Sequence, residues 1–427
     1  MLPVFYEDTL VGQLDESGPG LSFAYDPGWL DARNRFAISL SMPLRSEPYP
    51  ADIATPWFAN LLPEDQQLEQ IGRLLGRSTA DVYGLLERMG GETAGALSIG
   101  GAEPADHADY RELSEKDLSE IIEKLPRRPF LADEDDVTMS LAGGQSKLAV
   151  AVFDEKIYLP LRGAASTHIL KPSSDRLYAT VENELLCMRL AAHLGLPVAP
   201  TAMAAAQKRP YLLVTRYDRK RLSDRRVRRD HQEDFCQALG YYPTAKYEAR
   251  HGPGFLQIFQ VIGQHSRREA VDRLNLIRLI IFACCIGDTD RHGKNFSIIL
   301  TGDGPRLAPG YDFMTALAYD NITRNLAMKI AGKSRAEHLE RRHWERFARE
   351  VGLAPAGTIA EVANLGARIK DEVEEIAGEL AKEVPADRTA LRIFSGKIRE
   401  RAELVAANST KGPAASAAEP DEDEGAA

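Results

Sequence analysis

Apolar and polar positions alternate in some stretches of the first 104 residues and recur with helical spacing in others. Alternation predicts strands, and a longer apolar stripe that ends at a glycine predicts a helix. The predicted strands and helices are 4–16, 36–44, 57–76 and 80–91. Residues 101–109 are small, polar and interrupted by proline, which indicates a linker. We therefore expect residues 1–104 to form an α/β N-terminal subdomain.

Short β-like runs dominate the chain between residues 137 and 220. These runs are 147–153, 156–161, 167–172 and 211–218. One helix, 181–195, interrupts them and has an apolar stripe along one face. From about residue 255 the pattern is mostly helical, apart from predicted strands at 296–300 and 306–312.

These patterns predict an α+β fold with an N-terminal α/β lobe and a mainly α-helical C-terminal lobe. The expected divisions are 1–104 for the N-terminal subdomain, 110–222 for a β-rich small lobe, 223–405 for a helical lobe and 406–427 for a tail. Because the tail is rich in alanine, proline and acidic residues, we expect it to be disordered.

Composition excludes several classes of function. The net charge of -10 argues against nucleic-acid binding by the chain itself, because phosphate contacts need a basic footprint. The four cysteines show neither a disulfide framework nor the spacing of zinc ligands. No signal-peptide pattern opens the chain, and the longest apolar stretch, 276–287, is too short to span a bilayer. We expect a reduced, soluble, cytoplasmic protein without membrane contact.

Polar residues are concentrated in DTDRHGKN, at 288–295, between an apolar stretch and the run FSIIL. A loop between a buried helix and a strand is well placed for chemistry, because the scaffold fixes it and leaves it accessible. Asp290 and Asn295 have the spacing in which an aspartate accepts a hydroxyl proton and an asparagine oxygen binds magnesium. Asp312, after the next predicted strand, supplies a second metal ligand. Each residue alone also fits a cap or an Asx-turn, but the three in this order favour a kinase-like site.

The remaining polar residues of this loop have two interpretations each. Asp288 is expected to cap or orient the loop. His292 either contacts a phosphate oxygen or supports the loop by hydrogen bonding, and Lys294 either neutralises phosphate charge or is solvated.

A possible nucleotide-binding half lies upstream. Gly143 and Gly144 precede a β-like run, and paired glycines let backbone N–H groups approach phosphates, although a hairpin turn has the same signature. Lys171 ends the apolar run THILKP, where a lysine is costly unless it is paired or meets a ligand, so we expect it to contact the α- and β-phosphates. Glu184 on the following helix is its possible partner, and Tyr217 is a candidate flat surface for adenine.

The stretch RYDRKRLSDRRVRR, at 216–229, is a local basic patch with eight basic and two acidic residues. It could dock an acidic partner or a nucleic-acid-bound substrate, and a solvated loop is the simpler interpretation.

Taken together, these motifs resemble those of the HipA-type serine/threonine kinases, the toxins of type II toxin–antitoxin modules. The family's motifs occur here in the same order as SLAGGQSKLAV, THILKP, VENELLCMRLAAHLGL, TRYDR, HQEDFCQALG, KYE, GPG, DTDRHGKNFSI and LAPGYDF. The N-terminal stretches PLRSEPYP, WFANLLPE and LLERMGGETAGALSI also resemble the family, so the likeness covers roughly residues 1–400.

This resemblance implies a two-lobed protein kinase, akin in fold to phosphoinositide kinases, that uses ATP and Mg²⁺. It implies that Asp290 is the catalytic aspartate, that Asn295 and Asp312 bind the metal, and that Lys171 contacts ATP. It also implies that the Gly143–Gly144 loop covers the nucleotide and that Ser140 is an inactivating autophosphorylation site, where a dianion would repel ATP.

Further implications concern partners. Substrates in the family are aminoacyl-tRNA synthetases, whose phosphorylation halts translation and causes growth arrest. The usual partner is a helix-turn-helix antitoxin of the HipB type that binds the kinase and operator DNA, so DNA contact would be indirect.

The chain departs from the family pattern at three positions: Arg291 replaces a more usual glycine, Ser146 an acidic residue and Thr215 a glutamate. The resulting D-R-H-x-x-N form is closer to phosphoinositide kinases, so a lipid or small-molecule kinase is the alternative. A catalytically silent binding protein is a third hypothesis, which the intact set of Asp290, Asn295 and Asp312 disfavours.

Overall fold

The computed structural model describes residues 1–18, 20–100, 109–223 and 225–411. Its first unit is an antiparallel sheet with the strand order β3-β2-β1-β4. The strands are β1 (Leu2–Tyr6), β2 (Thr9–Ser17), β3 (Gly20–Tyr25) and β4 (Leu97–Ile99). The helices of this unit are α1 (Pro27–Asp31), α2 (Ala51–Ala59), α3 (Asp65–Leu75) and α4 (Val82–Met89).

Two predictions for this N-terminal unit were wrong. Residues 36–44 form no strand: the backbone N–H of Leu40 donates to the buried carboxylate of Glu233 instead of to a neighbouring strand, and the Ser39 hydroxyl donates to the same carboxylate. The helix predicted over 57–76 is two helices, because Pro63 disfavours helical geometry at the residue before it. The break between α2 and α3 is important because it lies against the candidate site.

A six-stranded antiparallel sheet follows, with the order β5-β7-β6-β8-β10-β9. Its strands are β5 (Asp109–Glu112), β6 (Leu148–Phe153), β7 (Lys156–Leu161), β8 (His168–Pro172), β9 (Thr201–Ala206) and β10 (Arg209–Thr215). Two helices, α5 (Glu115–Lys124) and α6 (Thr180–His193), accompany it.

The six-stranded sheet is the middle layer of the molecule. Residues on one face of its strands, such as Leu148, Leu170 and Tyr211, share a core with the N-terminal unit. Residues pointing the other way, such as Leu212 and Val214, share a core with α6 and the helices that follow. The N-terminal unit therefore packs directly on the nucleotide-binding half predicted from sequence.

The C-terminal part is mainly helical. Its strands are β11 (Arg219–Ser223), β12 (Arg226–Arg229), β13 (Gln232–Asp234), β14 (Ser297–Ile299), β15 (Arg306–Leu307), β16 (Asn325–Ile330) and β17 (Lys333–Arg335). Its helices are α7 (Phe235–Leu239), α8 (Phe255–His265), α9 (Glu269–Ile286), α10 (Arg341–Glu350), α11 (Pro355–Glu383) and α12 (Arg388–Thr410).

The expected mixture of α and β structure is confirmed, with corrections at two ends. The strand predicted at 306–312 stops at Leu307, because Pro309 has no N–H to continue a ladder. The predicted tail 406–427 begins inside α12, which continues to Thr410 with Asn408 and Ser409 buried. The rest of that tail, from 412, and the predicted linker over 101–108 lie outside the described residues. Within the described ranges, no helix combines the length and apolar character needed to cross a membrane.

Candidate active site

The polar loop 288–295 connects α9 to β14, as its position between two apolar stretches predicts. Helix α9 is capped by Gly287, whose φ of +69° is left-handed, and the last eight residues of the helix are all buried. The buried carboxylate of Asp288 accepts the backbone N–H of Asp290 at 2.9 Å and Nε of Arg291 at 2.8 Å. The side-chain amide of Asn295 donates to the carbonyl of Asp290 at 2.6 Å. The predicted orienting role of Asp288 is therefore confirmed.

Arg291 joins this loop to the segment that carries Asp312. Its side chain is 3% exposed, and one terminal nitrogen donates to the carbonyl of Asn295 at 3.1 Å. The other donates to the carbonyls of Tyr311, at 2.8 Å, and Asp312. The guanidinium also lies 3.8 Å from the ring centroid of Phe313. One guanidinium therefore holds the backbones of Asn295 and Asp312 close together, which sequence alone gave no reason to expect.

Asp290 faces the cleft, with 63% of its side chain exposed. Its Oδ1 accepts a hydrogen bond from the phenol of Tyr247 at 2.7 Å. Partial loss of water in the cleft raises the pKa of Asp290 to about 6, the Asp288 carboxylate adds to this, and the Tyr247 hydrogen bond opposes it. A carboxylate with a pKa near the working pH is suited to accept a proton and release it again.

Lys171 brings the two halves of the site together. Its ammonium donates to Glu184 at 2.7 Å and to Asp312 at 2.5 Å, so the predicted pairing with Glu184 is present. Burial raises the pKa of Asp312, but the charges of Lys171 and Lys147 outweigh it and hold that pKa well below its ordinary value. Asp312 has a φ of +59°, a left-handed conformation that is uncommon for residues other than glycine and that is found at functional sites. The carboxylate is thus kept ionised at the edge of the cleft.

The glycine pair forms a loop that the N-terminal unit supports. The backbone N–H of Glu64 donates to the carbonyl of Gly143 at 3.4 Å, and the side-chain amide of Gln67 donates to the carbonyl of Gly144 at 3.2 Å. Gly143 has a φ of +105°, which side chains rarely adopt.

Sequence reasoning missed Lys147, which lies beside this loop. Its ammonium donates to the carbonyl of Ala142 at 2.6 Å. Desolvation and the charge of Lys171 lower the pKa of Lys147 to about 8. The motif offered a signal, because a lysine three residues after a glycine pair can reach back over the loop. Lys147 and Lys171 give this end of the cleft two positive charges.

Ser140 precedes the loop and is completely buried. Its hydroxyl donates to the carbonyl of Leu61 at 2.8 Å, and its backbone N–H donates to the carbonyl of Glu92 at 2.8 Å. Both acceptors belong to the N-terminal unit. Any modification of Ser140 therefore requires this segment to leave the N-terminal unit first.

Two of the expected ATP contacts, Lys294 and His292, are buried, and Lys294 is bonded to internal partners. Lys294 is buried, and its ammonium donates to the carbonyl and side-chain oxygens of Asn60, at 3.1 and 2.6 Å, and to Asp234 at 2.7 Å. Since an ammonium has three donors, no donor of Lys294 remains for a phosphate. His292 is also buried, and burial lowers its pKa to about 3, so it is neutral. The structure places Lys294 as a link between the N-terminal unit and the loop 288–295.

Tyr217 lies at the end of the six-stranded sheet. Its ring stacks on Tyr311, with centroids 5.9 Å apart and planes inclined by 28°, and its phenol donates to Gln232. The ring is half-buried next to the residue that precedes Asp312. Its expected contact with adenine stays a prediction.

The basic stretch 216–229 is only in part a surface patch. Arg216, Arg219 and Arg229 are buried around the carboxylate of Glu92 at 3.0, 2.9 and 2.6 Å. Burial raises the pKa of Glu92, but the three arginines outweigh it and lower that pKa to about 2. These three charges anchor the N-terminal unit to the sheet, so they are not available to an acidic partner.

The oxygens of the site fit a magnesium ion. Asn295 and Asp312 offer an amide and a carboxylate oxygen, the hard ligands that Mg²⁺ prefers. The side-chain oxygen of Asn295 accepts no hydrogen bond from the described residues, while its side-chain nitrogen donates to the carbonyl of Asp290. Among those residues, no group of three or more His, Cys, Asp or Glu side chains forms a metal cage. Two protein ligands suit an ion that also binds the phosphates of a nucleotide.

Comparison with known proteins identifies the family of the chain. The family model for the HipA N-terminal domain matches residues 2–100, and the model for the HipA-like C-terminal domain matches residues 139–387. A relative in Sinorhizobium fredii, Y4mE, which is named only provisionally as a kinase, is 38% identical over 413 residues, covering 95% of this chain and 98% of the relative.

The serine/threonine-protein kinase toxin HipA of Shewanella oneidensis is 27% identical over 386 residues, covering 86% of this chain and 87% of that protein. The fold is similar to a chain in a Shewanella oneidensis complex of HipA, HipB and operator DNA, with a TM-score of 0.82 at 23% identity over 96% of this chain and 98% of that one.

Proposed function

Since the chain belongs to the HipA family of toxin kinases, we propose that it is an ATP-dependent serine/threonine protein kinase that acts as the toxin of a toxin–antitoxin module in the cytoplasm. The observation that carries the proposal is that Lys171 connects the two halves of the site, the predicted nucleotide-binding half and the half formed by the loop 288–295 and Asp312. Lys171, at the end of a strand of the six-stranded sheet, bonds to the carboxylate of Asp312. The Arg291 guanidinium donates both to the carbonyl of Asp312 and to the carbonyl of Asn295, in the loop that also carries Asp290. A charged set of this kind is costly to bury without a ligand for it to serve.

In the proposed reaction Asp290 accepts the proton of a serine or threonine hydroxyl while the hydroxyl oxygen bonds to the γ-phosphorus of ATP. The bond from that phosphorus to the β-phosphate oxygen breaks, and ADP leaves. Its pKa of about 6 leaves the carboxylate mostly ionised at neutral pH. Lys171, held by Glu184, contacts the phosphates of ATP, and Lys147 adds a second positive charge beside the Gly143–Gly144 loop. The nucleotide lies under that loop, between the six-stranded sheet and the catalytic loop, in the two-lobed arrangement of phosphoinositide-like kinases.

Asn295 and Asp312 would hold Mg²⁺. When bound, the ion supplies positive charge that offsets charge on the phosphates during transfer. Asp312 is prepared for this role because Lys171 and Lys147 keep it ionised.

Arg291 gave the sequence its likeness to phosphoinositide kinases. Its guanidinium is buried, and bonds to one carboxylate and three carbonyls use four of its five N–H donors, so its position is not open to a lipid headgroup. We therefore prefer a protein substrate, and an aminoacyl-tRNA synthetase is the proposed one, so that phosphorylation inhibits translation and arrests growth.

The proposed partner is a small helix-turn-helix antitoxin of the HipB type. The support is the similar fold found in a complex that contains HipA, HipB and operator DNA. The chain's net charge of -10 favours contact with DNA through the antitoxin instead of directly.

Ser140 is the proposed autophosphorylation site. Because its hydroxyl is buried against Leu61, the loop must open before modification, and a phosphate there could not return to the same position. The phosphorylated chain would therefore keep its glycine loop displaced and lose ATP binding.

The experiment is incubation of the full chain with labelled ATP, Mg²⁺ and a cytosolic extract. We expect label on the chain itself and on one or a few synthetases. Asp290→Asn, which keeps the size of the side chain, should abolish both signals, and Ser140→Ala should remove only self-labelling. Equal labelling by the Asp290→Asn protein would disprove the assignment, and label found only in lipid would favour a lipid kinase.

A further inference from the structure

A phenol from a distant turn contacts the catalytic carboxylate. The hydroxyl of Tyr247 donates to Oδ1 of Asp290 at 2.7 Å, across 43 positions of sequence. We propose that Tyr247 is a positioning residue that fixes the orientation of the Asp290 carboxylate toward the acceptor hydroxyl. This inference rests on the proposed kinase function.

The turn that carries Tyr247 is rigid. The carbonyl of Tyr247 accepts the backbone N–H groups of Arg250 and Gly252, both at 2.9 Å. A Cβ on Gly252 would lie 2.0 Å from the carbonyl oxygen of Ala245, so only glycine permits this close approach. The turn therefore holds the phenol in place instead of letting it follow a moving carboxylate.

The same turn is attached to the catalytic loop. The backbone N–H of Gly293 donates to the carbonyl of Lys246 at 3.2 Å, and the ring of His292 meets the Tyr247 ring edge-on at 5.0 Å between centroids. The distance between the phenol and Asp290 is thus set by a main-chain hydrogen bond and a ring contact between the turn and the loop.

The N-terminal unit secures the turn from a third direction. The ammonium of Lys246 donates to the buried carboxylate of Glu64 at 2.6 Å, in the break between α2 and α3. It also lies 5.4 Å from the Tyr247 ring centroid. The charge of Lys246 stays near Asp290 without bonding to it, which leaves the phenol as the group that orients the carboxylate.

This arrangement has a clear consequence for Asp290. Because most of its side chain is open to the cleft, little packing limits its rotation. The phenol occupies Oδ1 and leaves Oδ2 for the attacking hydroxyl. Desolvation and the adjacent carboxylate raise the pKa of Tyr247 far above its ordinary value, so the phenol remains a donor at every working pH. Losing it should lower the rate of transfer and leave ATP binding intact.

The test compares Tyr247→Phe with Tyr242→Phe in the full chain. Tyr242 lies in the same stretch, is 47% exposed and makes no side-chain hydrogen bond within the described residues, so its variant is the matched control. Transfer of labelled γ-phosphate from ATP and Mg²⁺ to the chain itself is followed as a function of ATP concentration. We expect Tyr247→Phe to lower the maximal rate about 10- to 100-fold, with a half-saturating ATP concentration within about twofold of wild type. The Tyr242→Phe protein should behave as wild type.

If the wild-type chain transfers phosphate, two results would overturn the inference about Tyr247 and leave the proposed kinase function standing. One is a maximal rate for Tyr247→Phe that equals that of Tyr242→Phe. The other is a parallel change in half-saturating ATP and in the thermal midpoint, which would mean a structural role. A wild-type chain that transfers no phosphate would refute the proposed function and this inference together.

Discussion

Replacing Arg291 with methionine tests whether a single guanidinium holds the segments of Asn295 and Asp312, the two proposed metal ligands, together. Methionine keeps an unbranched apolar stem to pack on Phe313 but removes every donor. Asp288 is then left as a buried carboxylate without its cation, and three carbonyl groups lose a hydrogen bond.

The expected cost is large. Both side chains of the Arg291–Asp288 pair are 3% exposed and their atoms are 2.8 Å apart, so the pair is buried. Removing one partner of such a pair costs about 3–5 kcal/mol, against a typical total stability of about 5–15 kcal/mol. Neutralising the orphaned carboxylate as well, in Arg291→Met with Asp288→Asn, should recover about 0.5–3 kcal/mol of this loss.

The assay is urea unfolding of wild type, the two single variants and the double variant, combined with the maximal rate of phosphate transfer. Arg278→Met is the control, because Arg278 lies on α9 and pairs with Glu361 at a partly exposed site, where a pair contributes about 0–1 kcal/mol. We also expect about 100-fold slower transfer from Arg291→Met, since Asn295 and Asp312 lose their common anchor. An Arg291→Met protein with the urea midpoint and rate of the Arg278→Met protein would refute this reasoning.

Three further predictions follow from the same geometry. The rate of transfer should fall about tenfold per pH unit below a pKa of about 6, because Asp290 is ionised above that value and protonated below it; a flat profile to pH ~5 would contradict the assignment of the base. Lys294→Met should lower the thermal midpoint through a loss of about 3–5 kcal/mol, with ATP affinity by calorimetry unchanged; weaker ATP binding at unchanged stability would instead make Lys294 a nucleotide ligand. Gly143→Ala should weaken ATP binding through about 1–3 kcal/mol of backbone strain at its φ of +105°. Gly144→Ala, whose Cβ would meet Asp65 no closer than 3.3 Å, is its control and should bind nearly as wild type.

The sequence by itself determined the local parts of the site. An apolar helix, a polar loop and an apolar strand are set by periodicity and run length, so the position of Asp290 and Asn295 could be predicted from residues within about ten positions. The same holds for Lys171 at the end of a strand and Glu184 on the next helix, whose pairing the structure contains.

Only the tertiary structure decided which polar groups are free to do chemistry. In the sequence, Lys294 and Arg291 look equally available to bind a ligand. In the structure, Asn60 and Asp234 accept the hydrogen bonds of Lys294, and backbone carbonyls accept those of Arg291. These partners lie 20 or more positions away in sequence from the residue that they bond, and hydrophobic periodicity carries no information about such pairings.

The contacts around Asp290 have the same origin. Tyr247 reaches it across 43 positions, and the turn of Tyr247 is fixed by Glu64, which is 182 positions from Lys246. Local patterns specify which elements form, because burial and backbone hydrogen bonding act within an element. The packing of the N-terminal unit on the sheet and the catalytic loop specifies how those elements meet, and that meeting decided which residues orient the carboxylate.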